Sequence, residues 1–277
     1  MGKGFFPKKE GYVAPRQDFR TTTTIWPVNE LIRTANKNWR GWTEEDGKTG
    51  SRSGAMRKEE TAYSGTYSIF PAPLMEYILV RYGGGKGNKI LDPFAGGPPR
   101  GIVASLMGYE YHGVDVRQEA IDEDRAVCKK LGLDAHYYLG DACILDIPVT
   151  DFDVCISCPP YYNLEVYSDQ PNDLSVCKTY NEFNTAMWQV ANAHVGHMKP
   201  GAFICMVVGN FRDKKTAELI DFRGDTVHNF RDNGFLFWQD IVLSKSKGSA
   251  AVRAATSWKG KKLVPCHEYL LVFRTPK

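Results

Sequence analysis

Ile90-Leu-Asp-Pro-Phe-Ala-Gly-Gly-Pro-Pro-Arg-Gly101 runs from an apolar strand through an acid and a glycine turn into a helix opened by proline. Paired glycines after a strand let the backbone approach a ligand closely. The stretch is not the G-x-G-x-x-G dinucleotide fingerprint, and it lacks the Gly-Lys-Ser/Thr of a phosphate loop. Asp115 stands 18 residues after Gly97 at the end of the next strand. An acid at that spacing suits ribose hydroxyls. The pair points to a nucleoside-containing ligand with no phosphate requirement.

Outward from this turn the chain alternates between two periods. Helices are expected over Pro71–Tyr82, Pro98–Met107, Gln118–Leu131, Tyr180–Met198 and Asp221–Asn233. Strands are expected over Lys89–Leu91, Tyr109–Val114, Ala135–Leu139, Phe152–Ser157, Ala202–Val208, Phe235–Leu243 and Glu268–Phe273. Strand–helix alternation of this kind predicts a doubly wound, mostly parallel α/β sheet. Ligands in such sheets bind beyond the carboxyl ends of strands, where the strand order reverses. Asp92, Asp115, Asp141 and the turn at Cys158 all fall at such ends.

The 277 residues are enough for one large domain or two small ones. Residues 1–65 read as an N-terminal extension, with an amphipathic stretch near Pro27–Trp42 and a polar Gly/Ser-containing run at Glu44–Glu60. Residues 66–277 read as the main domain. Uncharged apolar stretches such as Gly201–Asn210 are about half of the ~20 residues a membrane helix needs, so no membrane partner is expected. Seven cysteines, an odd number spread widely, fit reduced thiols and a cytoplasmic location. The net charge is +3, but residues 244–277 carry 8 Lys and Arg against 1 acid. Residues 1–60 carry 12 against 8. Basic flanks around an acidic middle suit a polyanionic partner.

A second turn carries chemistry. Asp153-Val-Cys-Ile-Ser-Cys-Pro-Pro-Tyr-Tyr162 leaves a buried strand and enters two prolines. Pro159 and Pro160 stiffen the chain and remove two donors, while the carbonyls remain acceptors. A rigid turn with free carbonyls and an aromatic ring suits a planar base bearing an amino group. Cys155 and Cys158 form a C-x-x-C, but no second pair exists in the sequence, so no metal is expected.

With these motifs the chain resembles the S-adenosylmethionine-dependent DNA methyltransferases that modify adenine N6 or cytosine N4. Asp92-Pro-Phe-Ala-Gly-Gly97 is similar to their cofactor motif, and Cys158-Pro-Pro-Tyr161 to their catalytic motif. The stretches Arg100-Gly-Ile-Val-Ala, Gly113-Val-Asp-Val-Arg-Gln-Glu, Pro-Pro-Tyr-Tyr-Asn-Leu-Glu-Val-Tyr-Ser-Asp169 and Val208-Gly-Asn-Phe-Arg-Asp213 are similar to solitary phage and prophage DNA methylases. So are Asp221-Phe-Arg-Gly-Asp225 and His267-Glu-Tyr-Leu-Leu-Val-Phe. The resemblance covers about residues 65–277; Trp26-Pro-Val and Trp39-Arg extend it weakly.

The resemblance implies a Rossmann-like sheet of seven strands, one antiparallel, with helices on both faces. It implies S-adenosylmethionine at Asp92, Pro93, Phe94, Ala95, Gly96, Gly97, Asp115 and Asp141. Asp115 would hold the ribose hydroxyls and Asp141 the adenine amino group. Catalysis would rest on Cys158, Pro159, Pro160 and Tyr161, with Tyr161 stacked on a base flipped out of DNA. Tyr162, Asn163, Lys245, Lys247, Arg253, Lys259, Lys261 and Lys262 would contact the substrate, the last six from a basic loop over 244–262. The extension 1–65 becomes a candidate DNA-contacting element. Monomer and homodimer both remain open.

One position departs from the pattern. The residue before Pro-Pro is normally Asp, Asn or Ser, and here it is Cys158. Sulfur is a weak acceptor. Either the backbone carbonyl suffices, or the rate falls, or the protein only binds DNA. Methylation of RNA or of a protein side chain is the alternative activity. A covalent attack by Cys158 on a pyrimidine carbon is a further, weaker alternative, because carbon-methylating enzymes present Pro then Cys. The target base is not legible from Cys158.

Overall fold

The computed structural model describes residues 24–28, 70–245 and 257–277. The elements in chain order begin with β1 (Ile25–Pro27), α1 (Ala72–Tyr82), β2 (Lys89–Asp92), α2 (Pro99–Leu106) and β3 (Glu110–Asp115). They continue with α3 (Gln118–Leu131), β4 (His136–Leu139), β5 (Phe152–Ser157), α4 (Tyr180–Val195) and β6 (Met198–Val208). The chain closes with β7 (Phe211–Arg212), β8 (Leu219–Ile220), α5 (Phe222–Asp232), β9 (Leu236–Ser244) and β10 (His267–Arg274).

Local chemistry sets several boundaries. Gly132 takes the left-handed conformation (φ 67) that closes α3. Thr179 accepts the Glu182 N–H while Glu182 accepts the Lys178 N–H, which fixes the start of α4. The expected helix to Met198 stops at Val195, and β6 begins at Met198. Met198 pairs with Phe152 before a register shift, so Lys199-Pro200-Gly201 belongs to an irregular strand start rather than a helix end.

The main sheet has the order β1-β9-β10-β6-β5-β2-β3-β4. Only β10 runs against its neighbours, antiparallel to both β9 and β6. This is the doubly wound, Rossmann-like sheet expected from the sequence, with one correction: it has eight strands, not seven. The eighth, β1, comes from the segment read as an extension and pairs in parallel with β9. Its reason is burial: Trp26 is 2% exposed and meets Tyr77 edge-on at 4.5 Å. The ribbon β7–β8, also unexpected, stands apart from the main sheet.

Side-chain alternation along the strands divides the core in two. Ile90, Val154, Cys205, Val207 and Leu270 face α1, α2 and α3. Leu91, Cys155, Ile204, Met206 and Leu271 face α4 and α5. Among the described residues no helix is long and apolar enough to cross a membrane. The strand order reverses between β2 and β5, and Ser157 at the end of β5 donates to Asp92 at the end of β2, 2.6 Å across that point.

Candidate active site

Beyond the strand ends at the reversal lies a cleft of about 280 Å³. Its floor is organised by Asp92, which is fully buried. The carboxylate accepts from Arg100 Nε at 2.5 Å, Tyr111 Oη at 2.6 Å, Ser157 Oγ at 2.6 Å and the Phe94 N–H at 3.3 Å. Arg100, in the first turn of α2, also donates to the carbonyls of Phe94 and Ala95. Phe70 lies under its guanidinium at 4.9 Å. A buried charge pair is tolerable only when its remaining donors and acceptors are met, as they are here. The network locks the glycine turn from beneath.

Gly96 adopts φ +62, a left-handed conformation that L side chains rarely take. Its N–H donates to Asp115 Oδ2 at 2.9 Å, and the Arg117 N–H donates to Asp115 Oδ1 at 2.9 Å. Arg117 Nε lies 3.4 Å from the same carboxylate. Burial raises the pKa of Asp115 against the pull of Arg117 and the two N–H groups. A carboxylate has about four lone-pair sites, so Asp115 keeps acceptor capacity on the cleft wall.

The other end of the cleft is the proline turn. Cys158, Pro159, Pro160 and Tyr161 all line it. The Tyr161 ring lies 6.4 Å from Phe211 at 12°, with Phe222 edge-on at 5.8 Å. Burial, followed by the nearby Glu268 charge, pushes the Cys158 thiol up to about 12. It is therefore protonated at neutral pH. Covalent catalysis needs a thiolate, so the environment opposes that alternative. Cys155 faces the opposite core from Cys158, and its sulfur lies 3.3 Å from His194 Nε2. Strand alternation thus separates the C-x-x-C pair.

The structure brings Pro93, Phe94, Gly96, Gly97 and Asp115 together with the proline turn in one cleft. It does not bring Asp92, Ala95 or Asp141 to the cleft wall. Asp92 is consumed by its four donors, Ala95 is fully buried, and Asp141 Oδ1 takes the Cys143 N–H at 2.8 Å. Ala142, next along, lines the cleft in place of Asp141. Tyr162 is core, 5% exposed, and its hydroxyl donates to Lys178 O. Asn163 stays off the cleft wall, and its carbonyl accepts from Lys214 Nζ at 2.5 Å. Lys245 lines the cleft and forms an ion pair with Glu268 at 2.6 Å, so it is not an open phosphate ligand. Lys259 and Lys261 are exposed and Lys262 is half-buried; all three lie away from the cleft beside Trp258, which is 78% exposed. Lys247, Arg253 and nearly all of residues 1–65 fall outside the described residues.

Sequence reading missed Arg100, Arg117, Glu165, Tyr167 and Glu268 as a charged and aromatic lining, and gave Lys245 only as a substrate contact. Glu268 had a signal: alternation places it with Leu270 and Val272 on an otherwise apolar strand face. The cations Arg100, Arg117 and Lys245 each pair with a carboxylate. That fits a ligand without phosphate. Among the described residues, Glu110, His112 and His136 form the one cluster with metal-ligand chemistry. It sits near the amino ends of β3 and β4. His112 there meets Glu110 at 2.8 Å and Tyr138 at 3.0 Å, and burial lowers its pKa.

No protein-family model and no curated protein matches the chain. Solved structures do match. TrmN from Thermus thermophilus is 14% identical over 79% of this chain and 52% of its own, with TM-score 0.52. A SAM-dependent methyltransferase from Methanosarcina mazei is 14% identical over 76% of this chain and 99% of its own, with TM-score 0.51. The chain has the Rossmann-like methyltransferase fold. It spans about half the length of TrmN. The same fold is also similar to the cyclase SpnF, 18% identical over 74% of this chain and 80% of that one, with TM-score 0.51. Chemistry on this fold must therefore be argued from the site.

Proposed function

We propose that the protein is an S-adenosylmethionine-dependent methyltransferase acting on the exocyclic amino group of adenine (N6) or cytosine (N4) in DNA. The observation that carries this reading is one cleft joining two motifs: the glycine turn with Asp115, and the Cys158-Pro-Pro-Tyr161 turn.

The residues fit the cofactor. Asp115 offers acceptors for ribose hydroxyls, and Gly96 and Gly97 offer backbone without side chains. Phe94 and Pro93 supply apolar wall. When bound, S-adenosylmethionine supplies a methyl on a sulfonium sulfur, the S–C bond breaking as the N–C bond forms and the sulfur keeping the electron pair.

The chain's own work is positioning. An exocyclic amino nitrogen is a weak nucleophile because its lone pair is delocalised into the ring. Acceptors at the proline turn draw its hydrogens aside and localise that pair. Tyr161, backed by Phe211, offers a stacking face worth about 1–3 kcal/mol to a base. Holding two reactants in line supplies up to ~7–11 kcal/mol of the barrier.

Incubation with labelled cofactor and either DNA or RNA, followed by digestion to nucleosides and mass measurement, tests the reading. N6-methyldeoxyadenosine or N4-methyldeoxycytidine is expected. Label in RNA or protein alone would move the substrate class. Cofactor binding with no label anywhere would leave a DNA-binding relative.

A further inference from the structure

Resting on the amino-methylation reading above, we infer that Glu268 is the acceptor for the target amino hydrogens, the task for which the Cys158 sulfur is poorly suited. Four observations converge on it.

Glu268 stands near the start of β10 and lines the cleft together with Cys158 and Tyr161. Its carboxylate is held at 2.6 Å by Lys245 Nζ, and its side chain is 22% exposed. One lysine occupies one of about four lone-pair sites on a carboxylate, so acceptor capacity remains. Its charge reaches both groups of the proline turn and is the second cause, after burial, that raises the Cys158 thiol and the Tyr161 hydroxyl. The buried Tyr161 hydroxyl interacts with both Glu268 and Cys158, so Lys245 and Tyr161 together leave acceptor sites open on the Glu268 carboxylate.

Gly209 explains how these groups can stand side by side. A Cβ there would lie 3.2 Å from Glu268 Cγ and 3.4 Å from the Tyr161 ring. Any side chain at 209 would crowd the carboxylate or the ring. The absence of one leaves both at the same wall.

The proton balance also calls for such a group. When the amino nitrogen gains a methyl it carries one proton too many. The Glu268 carboxylate takes that proton and releases it to water. A protonated thiol at Cys158 offers no comparable base.

Binding tests the inference apart from catalysis. With S-adenosylhomocysteine saturating the cofactor end, deoxyadenosine and deoxycytidine are titrated by calorimetry against purine and pyrimidinone deoxyribosides, which lack the amino group. Wild type should prefer one amino-bearing nucleoside by about tenfold or more. Glu268→Ala should lose the preference while keeping S-adenosylhomocysteine affinity. Cys158→Asp added to Glu268→Ala should restore it. Glu268→Gln, close to isosteric, keeps an acceptor oxygen but no base. It should retain the preference and slow single-turnover methylation about a hundredfold.

A wild type with no preference, a Glu268→Ala variant with the wild-type preference, a double variant without rescue, or a Glu268→Gln variant at the wild-type rate each overturns the role of Glu268. A wild type that methylates neither base in DNA overturns the substrate reading instead, and the nucleoside titration judges Glu268 independently.

Discussion

At the glycine-turn end of the cleft the charges pair within one β-α-β unit, whereas the proline-turn end draws its charges from far along the chain. Asp92 pairs with Arg100, and Asp115 with Arg117. Cys158 and Tyr161 instead meet Gly209, Lys245 and Glu268, which arrive from β6, β9 and β10. The first end can form as soon as its local unit folds. The second exists only after the whole sheet has closed around the antiparallel strand. On the proposed function, the difference separates a ligand grip, which is local, from a reacting wall, which is assembled.

The largest test strikes the local end. Arg100→Ala leaves the Asp92 carboxylate buried without its cation and should destabilise the fold by about 3–5 kcal/mol. Denaturant unfolding measures this. A loss under ~1 kcal/mol would mean that the turn does not depend on the pair.

A test of nearly that size strikes beneath the assembled end. His194 on α4 braces β5, its Nδ1 2.7 Å from Val190 O and its Nε2 3.3 Å from Cys155 Sγ. Burial lowers its pKa to about 4, against about 6.5 in an unfolded chain. The unfolded state therefore binds the proton first as pH falls. Stability from neutral His194 is full above pH ~6.5 and should be lost by roughly 3 kcal/mol on the way down to pH ~4. His194→Gln should flatten that part of the stability–pH curve. An unchanged slope would place the acid sensitivity elsewhere.

Cofactor affinity separates the two ends directly. Asp115→Ala should weaken S-adenosylmethionine binding by about 2 kcal/mol, near thirtyfold, in calorimetry. Equal affinities would remove Asp115 from the grip.

Smaller still is the effect of Cys158→Ser. A hydroxyl oxygen accepts better than sulfur, so single-turnover methylation should stay level or rise by up to about tenfold. No denaturation-resistant DNA adduct should form with wild type, because the thiol is held protonated. A dead but folded serine variant together with a wild-type adduct would make the assembled end a covalent one.

Last and smallest, neutralising Lys259, Lys261 and Lys262 should flatten the salt dependence of DNA affinity by about 0.9 per lost phosphate contact. Identical slopes would show that this basic run lies outside the interface.

The same contrast decides what could be read from the sequence. The glycine turn, Asp115, the doubly wound sheet and the proline turn were legible, because each is written in adjacent residues with a fixed period or spacing. That Asp92 and Asp141 stand off the cleft wall has one cause. Both stand at strand ends, but whether a strand-end acid faces the cleft or the backbone depends on which donors tertiary packing supplies. Arg100, Ser157 and Tyr111 claim Asp92, and the Cys143 N–H takes one oxygen of Asp141. Lys245 was legible as a cation but not as a partner, since Glu268 lies 23 residues on and meets it only through β9–β10 pairing. Strand β1 was hidden because three residues carry too little periodicity to stand out.

The burial of Trp26 has a consequence for reach. Val28, just after it, and Phe70 both line the cleft, so residues 29–69 leave and return at the same wall. Connectivity alone sets a limit: no residue between them is more than about 21 residues from an anchor, hence within ~75 Å of the cleft. On the proposed function, a nucleic acid bound anywhere along that span would meet the reacting wall as part of the same molecule. Its local concentration is then fixed by the length of chain and not by how much of it is in solution.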